Sequence, residues 1–285
     1  MTGESLVGVG CIITGGGRGI GRFTAEALAE RGADLALCAR TADELEETAD
    51  AIERRTSRRP AIFCIDVADR PTVRRFVTEA AERIHPLGLV INNAAVLGPV
   101  GPIVEVDLDE WVRTLAVNVG GAAAITAAAA PLMPGGGAIV NLSGGGIGGP
   151  GMAPLLSAYT TAKAAVVALT EALAGEFAPL GITVNAVAPG AVKTRFMEPV
   201  IAAGERLGAL YETTVAQRQA STPLAPFVEL VCYLASPAGR WLTGRLLSAR
   251  WDTVEDLEAN RASIESGSLL RLRRIDGVLF EERQP

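Results

Sequence analysis

Continuously apolar runs alternate with longer segments of helical period along most of this chain, and that alternation restricts the fold more than any single motif. Val7–Thr14, Asp34–Ala39, Ala61–Asp66, Leu89–Asn93, Ala138–Ser143, Thr183–Pro189 and Arg245–Ala249 read as strands. Gly19–Arg31, Ala42–Arg55, Thr72–Ile84, Asp109–Ala130, Tyr159–Phe177 and Pro226–Ala235 read as helices. A strand with one wet face alternates polar and apolar residues. These strands do not alternate, so both faces must be covered. The pattern predicts an α/β fold, a single doubly wound parallel sheet with helices on both faces. The domain is expected over residues 1–250. Within it, 193–222 breaks the rhythm where strand ends open and ligands bind in such sheets, so it is a candidate substrate lid. Residues 251–285 form a charged C-terminal extension.

The 285 residues suit one large domain, and an apolar content of 49% is enough for a sizeable core. A net charge of −6 argues against a general nucleic-acid or anionic-membrane binder, which needs a basic footprint. Arg271, Arg273 and Arg274 gather near the end, but so short a cluster reads as a solvated face. None of Cys11, Cys38, Cys64 and Cys232 forms a Cys-x-x-Cys pair. The first three lie in apolar runs and are expected to be small core residues in a reducing compartment. The single histidine, His85, sits beside Pro86 in an expected loop and makes a His-centred metal site or a serine triad improbable; no metal is expected. No signal peptide opens the sequence and no unbroken apolar run reads as a membrane span, so the expected location is the cytoplasm.

Thr14-Gly15-Gly16-Gly17-Arg18-Gly19-Ile20-Gly21 joins the first strand to the first helix. Glycines let backbone approach a ligand closely, and the helix start offers free N–H groups and a positive dipole end to a pyrophosphate. The spacing is G-x-x-x-G-x-G rather than the common dinucleotide G-x-G-x-x-G. At the end of the second strand a carboxylate would bind the ribose hydroxyls of NAD, but here Cys38-Ala39-Arg40 stands. Arg40 and Arg18 could both meet a 2′-phosphate, so NADP(H) is preferred and NAD(H) remains possible. Otherwise Arg18 faces solvent and Arg40 caps the next turn.

Tyr159 and Lys163, four residues apart on one helix, share a face. A neighbouring ammonium favours the phenolate and would lower the tyrosine pKa from its reference near 10. The pair could equally be incidental to an alanine-rich helix. Lys163 and Lys193 are the only lysines in an arginine-rich chain, so Lys163 is a poor candidate for filler.

With TGGGRGIG, then Asn92-Asn93-Ala94-Ala95, Asn118 and YTTAK in this order, the chain resembles the short-chain dehydrogenase/reductase family from about Leu6 to Ala249. The resemblance implies a Rossmann-type fold. It implies that Gly15, Gly19 and Gly21 form the phosphate turn, with Gly17, Arg18 and Ile20 in the same cofactor-binding loop. Asp66 and Val67 would flank the adenine. Asn93, Ala94 and Ala95, in a variant of the family's NNAG, would support the sheet beside the cofactor. Tyr159 would be the general acid or base, and Lys163 would bind the nicotinamide ribose. Asn118 would hold a water that links Lys163 to solvent. Pro189, Gly190, Val192 and Thr194 match PGxVxT, whose last residue would contact the carboxamide. The family also implies a dimer or homotetramer through Asp109–Ala130 and Tyr159–Phe177.

Two places differ from the family pattern. The usual catalytic serine position aligns with Gly144, in Asn141-Leu142-Ser143-Gly144-Gly145-Gly146. Either Ser143 reaches the substrate, or Ser157 or a loop N–H replaces it, or Ser143 only finishes the strand. The C-terminal glycine pair is also missing, and the chain continues past it. The function expected is an oxidoreductase interconverting a ketone and a secondary alcohol on a small-molecule substrate. A cofactor-binding sensor without catalysis is the alternative, and an epimerase or dehydratase on the same scaffold a third. Phe196, Met197, Glu198, Tyr211, Gln217 and Arg218 in the lid select no substrate polarity.

Overall fold

The computed structural model describes residues 5–84, 86–144, 146–147 and 152–272. The strands are β1 (Gly10–Thr14), β2 (Asp34–Ala39), β3 (Ala61–Cys64), β4 (Leu87–Asn92), β5 (Gly137–Leu142), β6 (Ile182–Ala188) and β7 (Leu246–Ser248). They form one sheet in the order β3-β2-β1-β4-β5-β6-β7, every neighbouring pair parallel. The order reverses between β1 and β4, and this switch point opens a crevice at the carboxyl ends of the strands.

The continuous apolar strands are explained by helices on both faces. Cys11 and Ile13 enter one core with α1 (Gly19–Glu30), α2 (Ala42–Thr56) and, from further along, the helix Ala225–Ala235. Ile12, between them, enters the other core with α3 (Arg70–Arg83) and residues of the helices that follow β4 and β5. Helix α3 starts earlier than its apolar period suggests, because Asp69 caps it and Pro71 sits in its first turn. Strand β1 starts later, since a turn from Leu6 to Val9 leaves Val7 exposed.

The expected helix 109–130 is three pieces. Helix α4 (Leu108–Leu115) passes through a π-helical turn, Ala116–Gly120, into α5 (Gly121–Ala129). The run Leu108–Leu132 has the length and mean hydropathy of a membrane span. Its buried side packs on α3 and on α6 (Ser157–Phe177) within the fold. Segment 193–222, the candidate lid, is not a plain loop. It carries α7 (Glu198–Ala203) and α8 (Ala209–Ala220), with a small core of Val200, Leu207 and Leu210 against Leu97 and Leu156. Thr222 N donates to Ala191 O and Lys193 N to Ser221 Oγ, so the lid leaves and returns through one stem.

One expectation is corrected. Cys64 is exposed: it ends the outermost strand, where no further strand covers it. The charged C-terminal extension packs in part against the domain. After α9 (Ala225–Ala235), its helices α10 (Val254–Ala259) and α11 (Arg261–Ser266) bury Leu257 and Ile264 in the first core. Trp241 Nε1 donates to Tyr233 Oη at 2.7 Å, Tyr233 donates to Glu258, and Arg261 lies over the Trp241 ring. Leu246 N donates to Leu270 O at 2.7 Å, which covers the outer edge of β7. His85, Gly145, Arg273 and Arg274 lie outside the described residues.

Candidate active site

The switch point is built from the β1–α1 turn. Gly21 packs so closely that a Cβ there would stand 2.1 Å from Gly15 O, so no side chain fits. Asn93, just beyond β4, fixes the turn from below: its Nδ2 donates to Thr14 O at 2.8 Å and Gly15 O at 3.1 Å. Thr14 Oγ1 accepts from the main-chain N–H groups of Asn93 and Ala94. A buried polar string continues sideways. Asn92 Nδ2 donates to Thr126 Oγ1 and to Asn141 Oδ1, and Asn141 Nδ2 donates to Thr170 Oγ1. Asn92 and Asn141 therefore register β4 against β5 and tie both to helices on one face.

A cavity of about 1630 Å³ runs from this turn to the lid. It is lined by Gly15, Gly17, Arg18, Gly19, Ile20, Arg40, Asp66, Val67, Asn93, Ala94 and Ala95 at one end. Ser143, Tyr159, Lys163, Pro189, Gly190, Val192 and Thr194 line it further along. The structure thus brings together all the sequence-derived site residues except Gly21, which packs beneath the turn, and Asn118. The open glycine cradle at the start of α1, with no side chain filling it, fits a dinucleotide phosphate. Arg40 is exposed and makes no ion pair among the described residues, whereas Arg18 pairs with Glu44 at 3.3 Å. Asp66 at the rim accepts from Ala68 N and pairs with Arg113.

Asn118 lies in the π-helical turn and is buried. Its Oδ1 accepts from Val96 N at 2.8 Å and its Nδ2 donates to Val96 O at 2.9 Å. The side chain therefore clamps the loop after β4.

Tyr159 and Lys163 project from the first turns of α6. The tyrosine is half-buried, its ring tilted against Phe196 of the lid with centroids 5.2 Å apart. Lys163 is buried, and Nζ donates to Leu142 O at 2.6 Å while lying 5.7 Å from the centre of the Tyr159 ring. Burial pushes the lysine pKa down to about 8. The phenol differs from the expectation. Burial raises its pKa above the usual tyrosine value, and the ammonium hydrogen-bonds Leu142 O rather than the phenol.

Across from the phenol lies Gly144. With φ at +154°, it carries a backbone conformation suited to glycine, and a Cβ there would stand 2.9 Å from Tyr159 Oη. Ser143 is buried, and its Oγ has no hydrogen-bond partner among the described residues, Tyr159 included. Ser157 is also engaged elsewhere, as its Oγ accepts from Trp111 Nε1 at 3.1 Å.

Some cavity residues escape sequence reasoning. Met152, Trp251 and Leu272 belong to irregular or C-terminal stretches whose position depends on tertiary packing. Glu44 and Arg195 also line it, and in sequence neither stands out from other surface charges.

The parallel sheet, the glycine cradle at its switch point and the tyrosine–lysine pair over one cavity define a Rossmann-type α/β protein with a groove for an extended ligand. A family model described as enoyl-(acyl carrier protein) reductase matches residues 15–249. An uncharacterized oxidoreductase of Mycobacterium tuberculosis is 36% identical over 241 residues, spanning 83% of this chain and 88% of that protein. The structure of an NAD+-bound xylitol dehydrogenase is similar at a TM-score of 0.76, with 28% identity over 86% of this chain and 98% of that one. A blue fluorescent protein from a metagenomic library, in complex with NADPH, is similar at 0.73, with 32% identity over 86% of this chain and 97% of that one. The chain belongs to the short-chain dehydrogenase/reductase family and is an oxidoreductase of that family.

Proposed function

We propose that this enzyme interconverts a ketone and a secondary alcohol with NADP(H), with Tyr159 as general acid and base. The observation that carries the reading is the placement of the Tyr159 phenol at the cavity, over the main chain of Gly144, with buried Lys163 one helical turn behind it. Gly15, Gly17, Arg18, Gly19, Ile20 and the main chain around Asn93, Ala94 and Ala95 would hold the dinucleotide, with Asp66 and Val67 at the adenine. Pro189, Gly190, Val192 and Thr194 would border the nicotinamide. When bound, the cofactor gives or takes the hydride.

The protein residues supply the rest. The phenol gives its proton to the carbonyl oxygen as an alkoxide develops, and takes it back in the oxidative direction. A phenol raised by burial is protonated at neutral pH, which suits the reductive direction. Lys163 holds positive charge beside the ring and anchors α6 to the end of β5 through Leu142 O. Phe196 and the lid's small core exclude water from the phenol. Arg40 supports the choice of NADP(H), since it stands at the end of β2 as a cation with no ion-pair partner among the described residues. The named relatives include one bound to NAD+ and one to NADPH, so either dinucleotide suits this architecture. We also expect a dimer or tetramer through the α4–α5 and α6 helices in the cytoplasm.

The test is NADPH consumption with a panel of cyclic and open-chain ketones, with alcohol formation measured in the same reaction. Equal binding of NADH and NADPH would remove the cofactor choice. Stoichiometric alcohol formation is the expected result. A second reading, a cofactor-binding protein without catalysis, is favoured by one observation: no serine hydroxyl bonds Tyr159. It predicts NADPH binding with no turnover on any panel member.

A further inference from the structure

The phosphate end of the cavity holds an ion cluster of which the reading above uses only Arg18. Glu44, in the first turn of α2, presents Oε1 to two guanidinium groups, Arg18 Nη1 at 3.3 Å and Arg195 Nη2 at 2.5 Å. The arginines come from opposite banks. Arg18 is the N-cap of α1 in the glycine turn, and Arg195 is the first residue beyond Thr194, at the root of the lid.

Both banks are fixed. A Cβ on Gly17 would stand 3.0 Å from Glu44 Cβ, and Thr48 Oγ1 donates to both Gly17 O and Glu44 O. The acid is thereby bound to the glycine turn. On the other bank, the Thr194 methyl group lies 3.4 Å from the Cβ position of Gly19, and Thr194 Oγ1 accepts from Phe196 N. The Arg195 side chain therefore reaches past the start of α1 to Glu44. The helix N–H groups that would receive a pyrophosphate lie beside this crossing. Glu44 is also the more buried partner, its side chain only 19% exposed.

We propose that the Arg195–Glu44 pair is a strap that holds the lid across the dinucleotide groove, so that cofactor release requires breaking a lid-to-core ion pair. The proposal rests on the dinucleotide reading of that groove and adds to it two residues that set cofactor residence. Arg18 shares the same carboxylate oxygen. A 2′-phosphate that recruits Arg18 leaves the whole acid to Arg195 and tightens the strap, whereas a dinucleotide without that phosphate does not. The strap thus distinguishes NADPH from NADH by release rate as well as by affinity.

The test is stopped-flow fluorescence of NADPH release, chased with excess NADP+, in the wild-type enzyme, Arg195→Gln, Glu44→Gln and the double variant, at low and high salt. A partly exposed ion pair is a modest interaction, so Arg195→Gln should release NADPH about two- to fivefold faster at low salt. The double variant should be no faster than Arg195→Gln, and the wild-type rate should rise with salt toward it. Equal rates for wild type and Arg195→Gln, or single effects that multiply in the double variant, overturn the strap. Hydrogen–deuterium exchange of residues 194–222 without ligand separates this idea from the cofactor reading. Faster exchange there in Arg195→Gln supports the strap even if NADPH fails to bind, an outcome that would refute only the cofactor assignment. Unchanged exchange overturns the strap whether or not NADPH binds.

Discussion

Gly144 lies against Tyr159: a Cβ on the glycine would stand 2.9 Å from the phenolic oxygen, closer than real Cβ contacts come. At the position where the family resemblance leads one to expect a serine, bare backbone is thus pressed to the phenol. Substituting Gly144→Ser should not restore a missing group. It adds a side chain where φ is +154° and where the phenolic oxygen of Tyr159 must move aside. The expected outcome is a loss of about 1–3 kcal/mol in unfolding free energy together with a fall in turnover. Denaturant melts and steady-state assays check it. A serine variant that is faster than wild type would mean that this loop readily takes up the family geometry.

Ser143 gives a prediction of opposite sign for stability. Its hydroxyl is buried and has no partner among the described residues, a state that costs about 1–3 kcal/mol relative to a satisfied group. Ser143→Ala should therefore leave stability equal or raise it by about 1 kcal/mol. If the hydroxyl is kept for substrate, turnover should fall about tenfold or more in the same variant. Unchanged turnover would leave Ser143 as the end of a strand.

How much of this could be read from residues alone differs by feature. The sheet was legible because continuous apolar strands admit one environment, and Cys11, Ile12 and Ile13 do face alternate cores. The glycine turn was legible because Gly21 has no space for a side chain. The π-helical turn at Asn118 was not, since the local period of 109–130 is that of an ordinary helix and only the clamp on Val96 departs from it. The direction of the Tyr159 shift was not legible either. Spacing puts Lys163 on the same face, but the end of β5 supplies the carbonyl of Leu142 that its ammonium bonds instead of the phenol. The C-terminal segment reads as charged surface because Leu257 and Ile264 are isolated apolar residues among acids and arginines, and their burial depends on α9.

Tyr159→Phe removes the proton donor and keeps the ring against Phe196. Turnover should fall by about 10²–10⁴-fold, the usual range for a lost general acid. The dissociation constant for NADPH, measured by fluorescence quenching, should change by less than about twofold, because the phenolic hydroxyl is not among the groups assigned to the phosphates. Retained turnover would remove the tyrosine from the mechanism.

Arg40→Ala tests the nucleotide. A charge-assisted contact to a 2′-phosphate is worth about 1.5–3 kcal/mol, so NADPH should bind about 10- to 100-fold more weakly while NADH is unaffected. The contrast between the two nucleotides in parallel titrations is the readout. Equal weakening of both would assign Arg40 to the fold and not to specificity.

Lys163 makes stability depend on pH in a defined direction. Its pKa is about 8 in the folded chain and 10.5 as the ordinary value, so between those pH values the unfolded state binds the additional proton. Stability must therefore rise with pH across that window, as the cost of burying the ammonium disappears. A shift of this size corresponds to about 3 kcal/mol at most. Below pH 8 both states are protonated and the group contributes no slope. Other titrating residues, Tyr159 among them, are shared with a Lys163→Met variant. The difference in unfolding free energy between wild type and Lys163→Met should therefore isolate the lysine. That difference should move in favour of the wild type from pH 8 upward and be flat between pH 6 and 7. A flat difference throughout would mean that the ammonium is solvated in the folded chain, and its role beside Tyr159 would then have to be that of an ordinary surface charge.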